Sequence, residues 1–164
     1  MFIITKWRAN RMLSKLDLSF KYKIRKTKDE SWSSHNCKFV YLNPDDRKCS
    51  MMAEESELHI LLHELGHIFV EKHKKIKKDP NVIKLFGDMR KFYRRDLSRK
   101  HENPDFISHY SQVHPEDNFV EVFAVYTKNE GNMKKIRKLL TKKHKNQKVL
   151  KQFIWLDKFI KSLK

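Results

Sequence analysis

The sequence is poor in the residues that punctuate or staple a chain. Only 3 of 164 residues are Gly and 4 are Pro, which excludes collagen-like and low-complexity architectures and leaves no composition for a long flexible linker. The two cysteines, Cys37 and Cys49, form neither a CxxC pair nor a disulfide framework, and read as free thiols of a reducing compartment. No apolar run approaches the ~20 residues that span a bilayer. The opening MFIITKWRANRM carries too short an apolar stretch for a secretory signal, and no small-residue cleavage site follows it; a cytoplasmic location is the expectation. Acids are also scarce, Asp+Glu 20 against Lys+Arg 37, a formal net charge of +17. What is present argues for a folded chain. Hydrophobic residues make up 39% and aromatics 12%, too much for global disorder. A chain of this length buries roughly 70% of its unfolded surface.

There is no internal repeat. Trp7, Met12, Leu13 and Leu16 predict a first helix over residues 5–18. Phe20, Tyr22 and Ile24 alternate with Lys and Arg as in a half-buried strand. After a polar stretch with turn chemistry, KFVYL at 38–42 predicts a second strand, stopped by Asn43-Pro44-Asp45-Asp46. Both strands are assigned to one small, mostly antiparallel sheet. Beyond Ala53 the pattern is helical, and Leu58, Ile60, Leu61, Leu62, Leu65, Ile68, Phe69 and Val70 predict a central helix buried on most sides. A second amphipathic helix is expected over 81–97, a loop over 98–115, and a third helix from Glu116 with Pro115 at its start. From residue 128 to 164, thirteen Lys and Arg face two acids, and the apolar spacing suggests two further helices. The expected fold class is α+β. Residues 1–128 form the main domain, and residues 129–164 a basic amphipathic helical extension packed on it.

One segment carries chemistry: His63-Glu64-Leu65-Gly66-His67. Residues four apart on a helix lie about 40° apart around the axis and about 6 Å apart along it, so both imidazoles can converge on one ion. Glu64 sits beside the pair, where a carboxylate can take a proton from an activated water. A shuffled chain of this composition would carry HExxH with a probability of roughly 3%. Two imidazoles and a carboxylate within an otherwise apolar helix also need partners to be buried at all. Gly66 costs that helix about 1 kcal/mol relative to Ala, which points to a close backbone approach. His59 stands a further turn back, but the 59/63 pair encloses Ile60 where a base is required.

Two imidazoles leave a catalytic zinc one protein ligand short. His73 has the spacing of HExxHxxGxxH, but Val70 occupies the position where that pattern needs a helix-breaking Gly. Glu121 is the better candidate, on a helix whose other faces are largely apolar. Its alternative is a solvent stripe shared with Asp117 and Lys128. Glu116 and Asp117 suit the helix N-terminus.

HELGH followed some fifty residues on by FISHYSQVHPEDNFVEVFAVY resembles the gluzincin-type zinc metallopeptidases, whose second motif reads approximately Ser-x-Tyr…Pro-x-Glu-Asp-x-Phe-x-Glu-x-Phe-Ala. Bacterial and phage metallopeptidases carry it, and the metallopeptidase domain of anthrax lethal factor and the Pro-Pro endopeptidases are similar in outline. The resemblance covers residues 38–127. It implies a zincin-like domain, a bound Zn²⁺, His63, His67 and Glu121 as metal ligands, and Glu64 as general base. It also implies a Tyr hydroxyl that supports the transition state. Tyr110 is the Tyr of the second motif; His109 and His114 are alternatives, and Tyr110 as a core or loop aromatic remains open.

The expected function is zinc-dependent endopeptidase action on a protein or peptide substrate, held in extended form at an edge strand by the cleft. The charge raises two alternatives. A +17 surface attracts polyanions, so Lys134, Lys135, Arg137, Lys138, Lys142, Lys143 and Lys145 suit a nucleic acid or an acidic protein partner, in a nucleic-acid-associated protein on a zincin scaffold. The other alternative is an effector-like protease with a single protein substrate. Solvated lysine-rich helix faces would serve equally.

Overall fold

The computed structural model describes residues 2–43, 57–91, 103–108, 110–143 and 147–164. The fold is a small α+β domain, as expected. Helix α1 (Phe2–Ser14) buries Ala9 and Leu13 and begins earlier than the apolar spacing suggested. Three short strands follow: β1 (Lys23–Lys26), β2 (Trp32–Ser33) and β3 (Phe39–Leu42).

Their order in the sheet is β1-β3-β2. Here the structure corrects the mostly antiparallel expectation, because β1 runs parallel to β3 and only β2 runs antiparallel to it. The reason is β2, a strand hidden in a stretch whose Ser-rich composition reads as turn. It pairs with β3 as a hairpin, closed by Ser34, whose Oγ accepts from the Phe39 amide at 2.9 Å and donates to Asn36 Oδ1 at 2.7 Å. The central strand β3 alternates as the pleat demands. Val40 and Leu42 are fully buried, while Phe39 and Tyr41 are only partly so.

Helix α2 (Glu57–Lys72) is the buried central helix. A 3-10 turn (Lys74–Lys78) leads to α3 (Pro80–Phe86), whose Asp79 cap accepts from the Asn81 amide at 2.8 Å. Helix α3 stops at Gly87, well short of the expected residue 97; Phe92, Tyr93 and Leu97 lie outside the described residues, as do His109 and Cys49. A second 3-10 turn (Tyr110–Gln112) precedes α4 (Pro115–Lys128). Two more helices, α5 (Met133–Lys143) and α6 (Gln147–Lys161), complete the chain.

The core runs unbroken from α2 and α4 into α6. Val149, Phe153, Leu156 and Ile160 belong to the same buried cluster as Phe69, Phe119 and Phe123. The Tyr126 hydroxyl donates to Asp157 at 2.7 Å, and Gln152 donates to the Leu85 carbonyl at 2.9 Å. No helix among the described residues is long and apolar enough to cross a membrane.

Candidate metal centre

Helices α2 and α4 pass close to one another because Gly66 has no side chain. A Cβ there would lie 2.7 Å from Val120 Cβ and 3.2 Å from a ring carbon of Phe123. The approach expected of Gly66 is therefore real, and it lays the first two turns of α4 against the histidines of α2.

His63 and His67 turn the same way. Each presents Nε2 to Asp117, at 3.9 Å and 3.6 Å from its Oδ1. Each also hands Nδ1 to an outer carboxylate: His63 to Glu121 at 2.7 Å and His67 to Glu116 at 3.0 Å. Two imidazole nitrogens thus face one carboxylate oxygen, and the three candidate ligand atoms lie within 4.8 Å of one another. Such a group could hold a metal ion. An ion roughly 2.1 Å from each donor in tetrahedral array needs donor separations of roughly 3.3–3.5 Å, somewhat shorter than the 3.6 Å and 3.9 Å seen here, so the donor set suits zinc after a small inward movement. The imidazole–carboxylate pairing behind each ligand nitrogen is the arrangement that orients zinc-binding histidines.

The acids in α4 sit differently from the sequence expectation. Glu121, expected as third ligand, is 3% exposed and lies behind His63 instead of beside its Nε2. Its Oε1 also meets His59 Nε2 at 3.2 Å, and its Oε2 accepts from the Ser108 hydroxyl at 2.7 Å. Asp117 and Glu116, read as suited to the helix N-terminus, do stand in the first turn of α4, and their side chains go to the histidines.

The chain matches the family described as "Putative zinc-binding metallo-peptidase" over residues 51–162. It belongs to that family. No curated protein and no solved structure gives a significant match. The metallopeptidase match includes the basic helices α5 and α6, beyond the segment that carries the sequence resemblance.

In the metallopeptidase's centre the charges explain one another. Burial works against a charged His67, but Asp117, Glu116 and Glu64 around it outweigh burial and push it up to about 10. Burial likewise works against Glu116, and His67 and Lys77 hold it down at about 2. Glu121, though buried, is kept well below the usual carboxylate range by His59 and His63. A buried site with this much carboxylate around imidazole is built for positive charge.

A cleft of about 320 Å³ opens beside the pair. Glu64, His67 and Asp117 line it from the helices, Ser33 and Ser34 from the β2–β3 hairpin, and Tyr110 from its 3-10 turn. The Tyr110 ring lies 5.4 Å from that of His63. Ser108 fixes this turn: its Oγ accepts from the Ser111 amide at 3.0 Å while donating to Glu121. Sequence reasoning gave Ser108 no role, although it is the Ser of the second motif. His73 is elsewhere, its ring packed against Phe69 and Phe159. His114 caps α4, with Nδ1 accepting from the Glu116 amide at 3.1 Å and Nε2 donating to the Lys91 carbonyl.

Proposed function

We propose that the chain is a zinc-dependent endopeptidase whose metal is held by His63, His67 and Asp117. The observation that carries this reading is the convergence of two imidazole nitrogens and one carboxylate at the wall of a cleft that Glu64 and Tyr110 also line. Zinc bound there would polarise the scissile carbonyl and make a water molecule acidic enough to attack it. Glu64 accepts the proton of the attacking water and passes it to the leaving amine. The Tyr110 hydroxyl donates a hydrogen bond to the oxygen on which negative charge develops. Glu121 takes the outer role in place of the ligand role: it fixes the ring of His63 and the proton on its Nδ1. Glu116 does the same for His67. The edge strand β2 offers backbone hydrogen bonds to an extended substrate.

The test is the Glu64→Gln variant, assayed for zinc by atomic absorption and for cleavage of denatured protein. Zinc is expected at one per chain, with cleavage reduced by about 100- to 10,000-fold. Full activity in this variant would remove Glu64 from the proton transfer, and loss of zinc would place it among the ligands.

A further inference from the structure

The sheet has a second face that the metal centre does not use. Val40 and Leu42 of β3 point into the core, which leaves Phe39 and Tyr41 on the outer side. Register places Lys23 beside Phe39, and Arg25 and Trp32 on either side of Tyr41. Five outer positions therefore carry three aromatic rings and two cations, and no acid. Trp32 stacks on Tyr41 with centroids 4.0 Å apart and planes 7° from parallel, and the Arg25 guanidinium lies 4.0 Å over the Phe39 ring.

A Trp–Tyr pair across two strands is ordinary sheet packing. This pair goes further, because Trp32 remains 45% exposed and the β1 side of the patch carries the exposed Lys23 and Arg25. We propose that the outer face of this sheet binds single-stranded nucleic acid, with bases stacking on Trp32 and phosphates meeting Arg25 and Lys23. Unpaired bases stack on aromatic rings whatever their sequence, and a positive surface tracks the backbone between them. Three strands about 4.8 Å apart give a face about 10 Å wide, room for two or three bases. The net charge of +17 supplies the long-range attraction, to which the exposed Lys134, Lys135, Arg137 and Lys138 on α5 contribute. A duplex fits less well, since its bases are already stacked and the rings would have nothing to receive. Ser33 faces the cleft from the same hairpin, so a strand on the outer face lies across the sheet from the metal centre and leaves it open. The proposal does not depend on peptidase activity.

The experiment titrates the full chain, with zinc supplied, into a fluorescein-labelled oligothymidylate of about 12 nucleotides and follows anisotropy at several salt concentrations. Binding is expected at low salt, with quenching of tryptophan fluorescence. Trp32→Ala should weaken it by about 5- to 150-fold, and Trp32→Phe should restore most of the loss. Arg25→Gln should lower the salt slope by about one. Because Trp32 and Arg25 are exposed, these variants keep the wild-type circular dichroism, which is checked first; the slope and the quenching stand as readouts independent of Trp32→Ala. Absence of binding at low salt would overturn the proposal. So would equal affinity of wild type and Trp32→Ala, or equal competition by duplex and by heparin, since charge alone would then account for the binding.

Discussion

Asp117 and Glu121 are one helical turn apart on α4, and the ligand role proposed for the first and the outer role proposed for the second are separable by measurement. Removing a ligand takes a donor from the ion; removing an outer carboxylate only frees the ring that the donor sits on. Glu121→Ala is therefore expected to weaken zinc binding by about 10- to 100-fold, and Asp117→Ala by more. Titration calorimetry into metal-stripped protein separates them, and a larger loss in Glu121→Ala would exchange their roles. Tyr110→Phe should lower kcat by about 100- to 1,000-fold with zinc content unchanged, as single-turnover cleavage would show. At this scale the sequence was only partly legible. His63 and His67 announce themselves by a four-residue spacing that means one thing on a helix. The third candidate does not, because Asp117 and Glu121 both face α2 and helical spacing alone cannot say which stands beside the Nε2 atoms of His63 and His67. Only the position of α4 along α2 decides it, and that is set by tertiary packing.

Helix α4 is positioned by what α2 lacks. Gly66→Ala adds a methyl 2.7 Å from Val120 Cβ, and both helix backbones must give way. The expected cost is about 1–3 kcal/mol of stability, despite the better helix propensity of Ala, with weaker zinc binding as α4 moves off. Urea denaturation of the zinc-free protein isolates the packing term, and an unchanged or raised midpoint would contradict the account. The helices themselves were largely readable from apolar periodicity, α2, α4, α5 and α6 among them. The sheet was less so. Two residues of β2 give no period to detect, and the parallel pairing of β1 with β3 follows from β2 occupying the hairpin position. Helix α3 shows the opposite error: its stripe continues in sequence past Gly87, but the backbone there takes a φ of 101° and the helix ends.

At the scale of the molecule, the basic C-terminal helices are part of the core, and a hydrogen bond joins α6 to the centre's own helix. Tyr126 of α4 donates to Asp157 of α6. Burial first, and this hydrogen bond second, raise its hydroxyl above the usual tyrosine range; burial does the same for Tyr22. A group whose folded-state value is raised favours folding fully below its unfolded value and loses that contribution as pH rises beyond it. Stability should hold up to about pH 10 and fall above it. Tyr126→Phe should be less stable at neutral pH by about 1 kcal/mol, with a shallower alkaline decline by chemical denaturation; an identical decline would separate Tyr126 from it. Charge was readable from composition, but which surfaces carry it was not, since Lys23 and Arg25 become neighbours of Phe39 and Tyr41 only when the sheet forms. A zinc ion held by His63, His67 and Asp117 is the central proposal. Diffraction collected on either side of the zinc absorption edge, from crystals of the protein purified with zinc, tests it most directly. One anomalous peak is expected within bonding distance of His63 Nε2, His67 Nε2 and an Asp117 carboxylate oxygen. A zinc-replete crystal with no peak among those three atoms, or with the peak elsewhere, would contradict it.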